Sequence, residues 1–188
     1  MTENTVFDIA PIKYSENGLA VLDQTRLPGE EIYIKIENKE DIWEAIYHLK
    51  VRGAPAIGVA ASYGLCIEAG RFEGDSISEF IRFTKEAAAY IQTARPTAVN
   101  LSWAMKRLSM GLENAGAETP EEGKEWLLKE AEAIHREDIA ACKAMGQYGL
   151  SLLRPGMGIL THCNAGTIAT AKYGTLSLIH ISEPTRPY

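Results

Sequence analysis

Three stretches of the sequence set an ionisable side chain beside a helix-start signature, and each could do chemistry on an anion. The first is Val51-Arg52-Gly53-Ala54-Pro55-Ala56-Ile57-Gly58, a glycine turn and proline-marked helix start with an arginine in front. A helix N-terminus exposes N–H groups without intrahelical partners and about half a positive charge, and an adjacent guanidinium grips a phosphate in two-pronged fashion. The stretch therefore reads as a clamp for a phosphate or sugar hydroxyl. The alternative, Arg52 capping a neighbouring helix at the surface, stays open on these residues alone. The second stretch, Ala94-Arg95-Pro96-Thr97-Ala98-Val99-Asn100-Leu101, again puts an arginine immediately before a proline-initiated helix. Spacing alone does not bring the two arginines together.

The third stretch is Gly158-Ile159-Leu160-Thr161-His162-Cys163-Asn164-Ala165-Gly166-Thr167. A cysteine at the carboxyl end of a strand, facing a helix N-terminus, sits where open α/β sheets bind ligands and where a thiol ionises more easily. Cys163 is accordingly the candidate nucleophile or base, with an inert buried thiol as the alternative. Cys66 and Cys142 read as inert and buried. Strand alternation points His162 to the opposite face of the sheet, in a structural hydrogen bond. His48 and His135 fall on helical stretches without ligand partners and read as solvated.

The elements that position these residues follow from periodicity. Ile12 and Tyr14 alternate with polar residues, and Asn17-Gly18 precedes Leu19, Val21 and Leu22, which predicts a hairpin with positive φ at both turn residues. Ile32, Ile34 and Ile36 predict a third strand. From Asp41 the period becomes helical, with Ile42, Ala45, Ile46 and Leu49 on one face. Ala54 to Gly70 is almost wholly small or apolar, so a helix there is buried on most sides, with Gly58 and Gly64 explained by close packing.

Further helices are predicted through Ile77, Phe80, Ile81, Ala88 and Ile91, and through Val99, Leu101, Met105, Leu108 and Leu112. Thr119-Pro120-Glu121-Glu122 opens another by a capping box, running to about Leu153 with Leu127, Ile134, Ile139, Cys142 and Met145 inward. Arg154-Pro155-Gly156 breaks the pattern, and Met157 to Cys163 reads as a buried strand before a new helical start. The expected class is mixed α/β. Residues 1–154 form a small antiparallel sheet plus helical bundle, and 155–175 form the first strand-helix unit of a truncated Rossmann-like domain. Residues 176–188 fit neither element, resemble an in-frame translation of a sequencing-library adapter, and leave His180 without weight.

Bulk composition excludes several classes of function. With 19 basic against 25 acidic residues and a net charge of −6, no broad positive field is available for nucleic acid or an anionic membrane, so a phosphate partner must be held by a few placed groups. Three widely spaced cysteines without a CxxC pair indicate neither a disulfide framework nor a zinc site. The first residues lack the pattern of a secretory signal, and the longest apolar run is too short to span a bilayer, so the expected compartment is the cytoplasm.

In order and spacing, Leu22-Asp23-Gln24-Thr25-Arg26-Leu27-Pro28, Arg52-Gly53-Ala54-Pro55-Ala56-Ile57-Gly58, Arg95-Pro96-Thr97-Ala98-Val99-Asn100-Leu101 and Thr161-His162-Cys163-Asn164-Ala165-Gly166 together resemble the methylthioribose-1-phosphate isomerase family, over the first half of such an enzyme. The resemblance implies an aldose-ketose isomerase of methionine salvage that converts 5-methylthioribose 1-phosphate to 5-methylthioribulose 1-phosphate without metal or organic cofactor. It implies that Arg52, Gly53 and Ala54 bind substrate, that Arg95 holds its phosphate, and that Cys163 is the catalytic cysteine. It further implies a homodimer and a catalytic aspartate well downstream. This sequence has no position matching that aspartate, so the expectation is a fragment without turnover. Two alternatives are a ribose-1,5-bisphosphate isomerase and a non-catalytic regulatory subunit of the translation initiation exchange factor.

Overall fold

The computed structural model describes residues 9–154, 157–162 and 164–175. Cys163, His180 and the 176–188 segment lie outside them. Among the described residues, three strands are followed by five α-helices and one short 3-10 turn.

Strands β1 (Ile12–Ser15), β2 (Gly18–Leu22) and β3 (Tyr33–Ile36) form an antiparallel meander in the order β1-β2-β3. Ile12 pairs with Val21 and Leu19 with Ile36, so the alternation places these four side chains inward, where all are buried. The hairpin turn differs from the expectation in one respect. Gly18 takes φ 101° while Asn17 stays at negative φ, because Ser15 pairs directly with Gly18 and a single left-handed residue suffices to close the turn.

Helix α1 (Lys39–Tyr47) buries Ile42, Ala45 and Ile46. Leu49 does not share that face. It lies beyond the helix end at φ 58° and is exposed. Helix α2 (Ala54–Gly70) has the predicted bounds and is buried on nearly all sides, with α1, α3 (Ile77–Gln92), α4 (Val99–Asn114), α5 (Pro120–Leu152) and the sheet around it. Its small residues permit that packing. A Cβ on Gly64 would lie 2.7 Å from the Ile42 side chain, and one on Gly58 would lie 3.2 Å from the Asn100 carbonyl oxygen.

Thr119 caps α5 by accepting from the Glu122 N–H, while the Glu122 carboxylate accepts from Glu118 N–H at 2.7 Å, one residue earlier than a capping box predicts. Leu127, Ile134 and Cys142 face inward and Ile139 is half-buried, but Met145 is exposed, as Val99 is at the start of α4. In both cases the apolar period outlasts the packing partner. The predicted strand over 157–163 is corrected in the same way. Residues 157–162 carry no strand, and Met157, Ile159 and Leu160 are exposed, because no described strand runs beside them to complete a ladder.

Candidate functional site

Glycine at position 53 is what turns the chain into α2. Its φ of 99° belongs to the region that favours glycine, and Pro55 fits the first helical turn, where a missing N–H costs nothing. The N-terminus so formed has no side-chain cap and no acidic residue in its first turn. Helix α4 begins in the same way, behind Ala98. By contrast, α1, α3 and α5 are capped by Asn38, Ser76 and Thr119 and carry acid in the first turn. Among the described α-helices, the two that follow the arginine motifs are thus the two with neither a side-chain cap nor an acidic residue in the first turn.

The arginine junctions are not identical. Pro96 does not initiate α4. It sits in a turn closed by Ala98 N–H on the Arg95 carbonyl at 2.9 Å, and the helix starts at Val99. Arg95 is half-buried and Arg52 exposed. The close approach of Gly58 to the Asn100 backbone sets the second turn of α2 beside the first turn of α4.

The segment after Cys163 docks on the same place. A 3-10 turn at Thr167–Ala169 lies against Gly53, where a Cβ would meet the Ala169 backbone, 2.7 Å from its carbonyl carbon and closer still to its Cα and O. Gln24, almost fully buried, donates through Nε2 to the Ile168 carbonyl at 2.9 Å and to the Arg52 carbonyl at 3.4 Å. Its Oε1 is buried with no hydrogen-bond partner among the described residues. Asp138 on α5 accepts from Ala171 N–H at 2.7 Å. Burial raises the Asp138 carboxyl above its usual range and that hydrogen bond opposes the rise. Gln24, Arg52-Gly53 and the Thr167–Ala169 turn therefore meet, and Asn100 of the remaining motif packs farther along α2, against Gly58. His162 is exposed and its strand face does not exist.

A groove of about 420 Å³ runs along this junction. Pro55, Gly58 and Val59 of α2 form one wall and Val99, Asn100 and Trp103 of α4 the other, with Ile134, Glu137, Asp138 and Ala141 of α5 as the floor. Arg107 links the α4 wall to α5 through Glu130 at 2.6 Å and Glu137 at 2.5 and 2.8 Å. Among the described residues no group of three or more His, Cys, Asp or Glu side chains could hold a metal ion, and no helix is long and apolar enough to cross a membrane.

Sequence reasoning missed Asp138 and gave Gln24 no role of its own. A glutamine two residues past the apolar end of β2, at the head of a motif, was a signal for the second; nothing local marked the first. It also misread His135, which is half-buried with Nδ1 3.0 Å from the Tyr63 hydroxyl, beside the stacked Tyr14 and Tyr63 rings. Burial pushes the Tyr63 hydroxyl and the Cys66 thiol up to about 12, and raises Cys142 as well, consistent with inert thiols. Burial, with Arg136, holds His135 below its ordinary value of about 6.5, against the attraction of Glu132.

A pH dependence follows. The unfolded chain binds the His135 proton more readily than the folded one, so this group's contribution to stability is present above about pH 6.5 and is lost as pH falls toward the lower folded value. Denaturant midpoints at pH 7.5 and 5.5 should show a larger drop for the natural chain than for His135→Gln, which keeps an acceptor for Tyr63 without titrating. Equal drops would remove His135 from the account.

The initiation factor 2 subunit family profile matches residues 50–181. A 5-deoxyribose 1-phosphate isomerase of Petrotoga mobilis is 47% identical over 169 residues, covering 89% of this chain and 49% of that protein. A methylthioribose-1-phosphate isomerase of Parabacteroides distasonis is 51% identical over 168 residues, 89% of this chain and 50% of that protein. Among solved structures, 5-methylthioribose 1-phosphate isomerase from Pyrococcus horikoshii OT3 superposes with a TM-score of 0.86 at 33% identity, over 98% of this chain and 53% of that one. Translation initiation factor eIF-2B subunit delta from A. fulgidus gives 0.79 at 36%, over 93% and 52%. The chain spans about half the length of the curated relatives it matches.

Proposed function

The chain belongs to the initiation factor 2 subunit family, and from that premise we propose that it is the substrate-clamping part of a cytoplasmic, homodimeric sugar-phosphate isomerase converting 5-methylthioribose 1-phosphate to 5-methylthioribulose 1-phosphate in methionine salvage. The observation that carries the reading is that first-turn residues of two uncapped helices, Pro55 of α2 and Val99 and Asn100 of α4, line one groove, and each helix follows an arginine in the sequence. Arg95 holds the phosphate with the N-terminus of α4, while Arg52, Gly53 and Ala54 hold the sugar at the N-terminus of α2. Residues 1–154 act as the clamp, and 155–175 begin the domain that carries the reacting groups.

The chemistry explains the need for a clamp. A phosphate on the anomeric oxygen blocks the simple ring opening of a free aldose, so an opened, charged form must be stabilised by fixed dipoles and by general acid-base groups away from water. Cys163 is the nucleophile or base that acts on the sugar, without a metal or organic cofactor. Turnover also needs a complementary acid, which the family resemblance places downstream of this clamp.

Calorimetric titration of the purified chain with 5-methylthioribose 1-phosphate tests this reading. Saturable heat is the expected result. Absence of heat would favour the second reading that similarity to an eIF-2B delta subunit supports, a protein-binding role with no sugar-phosphate site.

A further inference from the structure

We propose that Trp103 is the specificity-determining residue for the 5-substituent of the sugar phosphate, selecting an apolar group there; this rests on the reading of the preceding subsection. Trp103 sits one turn along α4 from the N-terminus assigned to the phosphate, lines the groove, and is 48% exposed. An indole ring half-open to a groove offers a large, rigid apolar face for a ligand to bury. The ring is also held still. The Arg107 guanidinium lies over it at 5.2 Å, and Arg107 is itself fixed by Glu130 and Glu137 on α5.

The rest of the groove argues for what the ring receives. Val59, Val99, Ile134 and Ala141 add apolar wall. Its two carboxylates are already engaged, Glu137 by Arg107 and Asp138 by the Ala171 N–H. Asn100 is the remaining polar side chain of the lining opposite these carboxylates, so a 5-hydroxyl gains little there, and a 5-phosphate would sit beside the Glu137 and Asp138 carboxyl groups, which disfavours a ribose 1,5-bisphosphate substrate. A 5-methyl or 5-methylthio group meets apolar surface instead, and the thioether sulfur gains a favourable contact with an aromatic ring.

The test is calorimetric titration of the natural chain, Trp103→Ala and Trp103→Phe with three ribose 1-phosphates bearing 5-methylthio, 5-deoxy and 5-hydroxyl groups. Far-ultraviolet circular dichroism checks that each variant is folded, as expected for an exposed position. The natural chain should bind the methylthio compound about tenfold more tightly than the 5-hydroxyl compound, a difference of the size one buried aromatic contact gives. Trp103→Ala should erase that preference and Trp103→Phe should retain most of it. Equal binding of all three sugars to the natural chain, or equal weakening of all three by Trp103→Ala, would overturn the role of Trp103 while leaving the phosphate clamp standing. No binding of any sugar, or binding indifferent to Arg95→Ala, would remove the clamp and this proposal with it.

Discussion

Gly53→Ala is expected to destabilise the folded chain by about 3 kcal/mol, combining a strained left-handed backbone position with overpacking against a neighbour that cannot move freely. Both causes are specific to this residue. Its φ of 99° is one that side chains with a Cβ rarely adopt, and the added carbon would land on the backbone of Ala169, which has no flexible end to swing aside. The Thr167–Ala169 turn is also tied to Gln24, so relief requires either rewinding the start of α2 or breaking the Gln24 bond to Ile168. Chemical denaturation measures the loss, and limited proteolysis shows whether 164–175 detaches first. Gly18→Ala is a suitable control: Gly18 also has positive φ but a Cβ there meets nothing within 4 Å, so it should cost about 1 kcal/mol. If the two substitutions cost the same, the contact with Ala169 contributes nothing.

Arg95→Ala is expected to weaken binding of 5-methylthioribose 1-phosphate by roughly 10- to 100-fold, the worth of hydrogen bonds to a charged group. Arg95 is half-buried ahead of α4, whose first-turn N–H groups have no side-chain cap, so the guanidinium and the helix end would act on one phosphate. Arg95→Lys should recover only part of the loss, because an ammonium keeps the charge without the planar fork. Calorimetry of the three proteins, with thermal melts to confirm equal folding, reads this directly. Unchanged affinity in Arg95→Ala would place the phosphate elsewhere.

How far the sequence could be read depended on how local the determinant was. Helix α2 was legible to the residue because a glycine-proline start and a run of small apolar residues leave few alternatives. The three strands followed from alternation, although Ile32 is exposed and falls just before β3, and the start of α5 followed from Thr119 and Glu122. The errors at Leu49, Val99 and Met145 share a cause: apolar spacing continues past the point where a packing partner exists, and spacing alone cannot see the partner. Residues 157–162 are the same failure at larger scale, since a strand needs a neighbour that periodicity does not supply.

For the site, the two arginine junctions were visible as motifs, but their meeting was not. It depends on Gly58 approaching Asn100, and on Gln24 reaching Ile168 across 144 residues of sequence. Asp138 was silent for the same reason, one carboxylate among several on a long helix until the chain folds Ala171 onto it. His135 read as solvated because its partner, Tyr63, lies on another helix.

The central claim is that the uncapped N-termini of α2 and α4 hold one sugar phosphate between them. Amide hydrogen exchange of the chain with and without saturating 5-methylthioribose 1-phosphate tests it most directly. Slowed exchange is expected at Gly53–Ile57 and Ala98–Ser102, with the N-termini of α3 and α5 unchanged. Protection confined to other elements, or absent altogether, would contradict it.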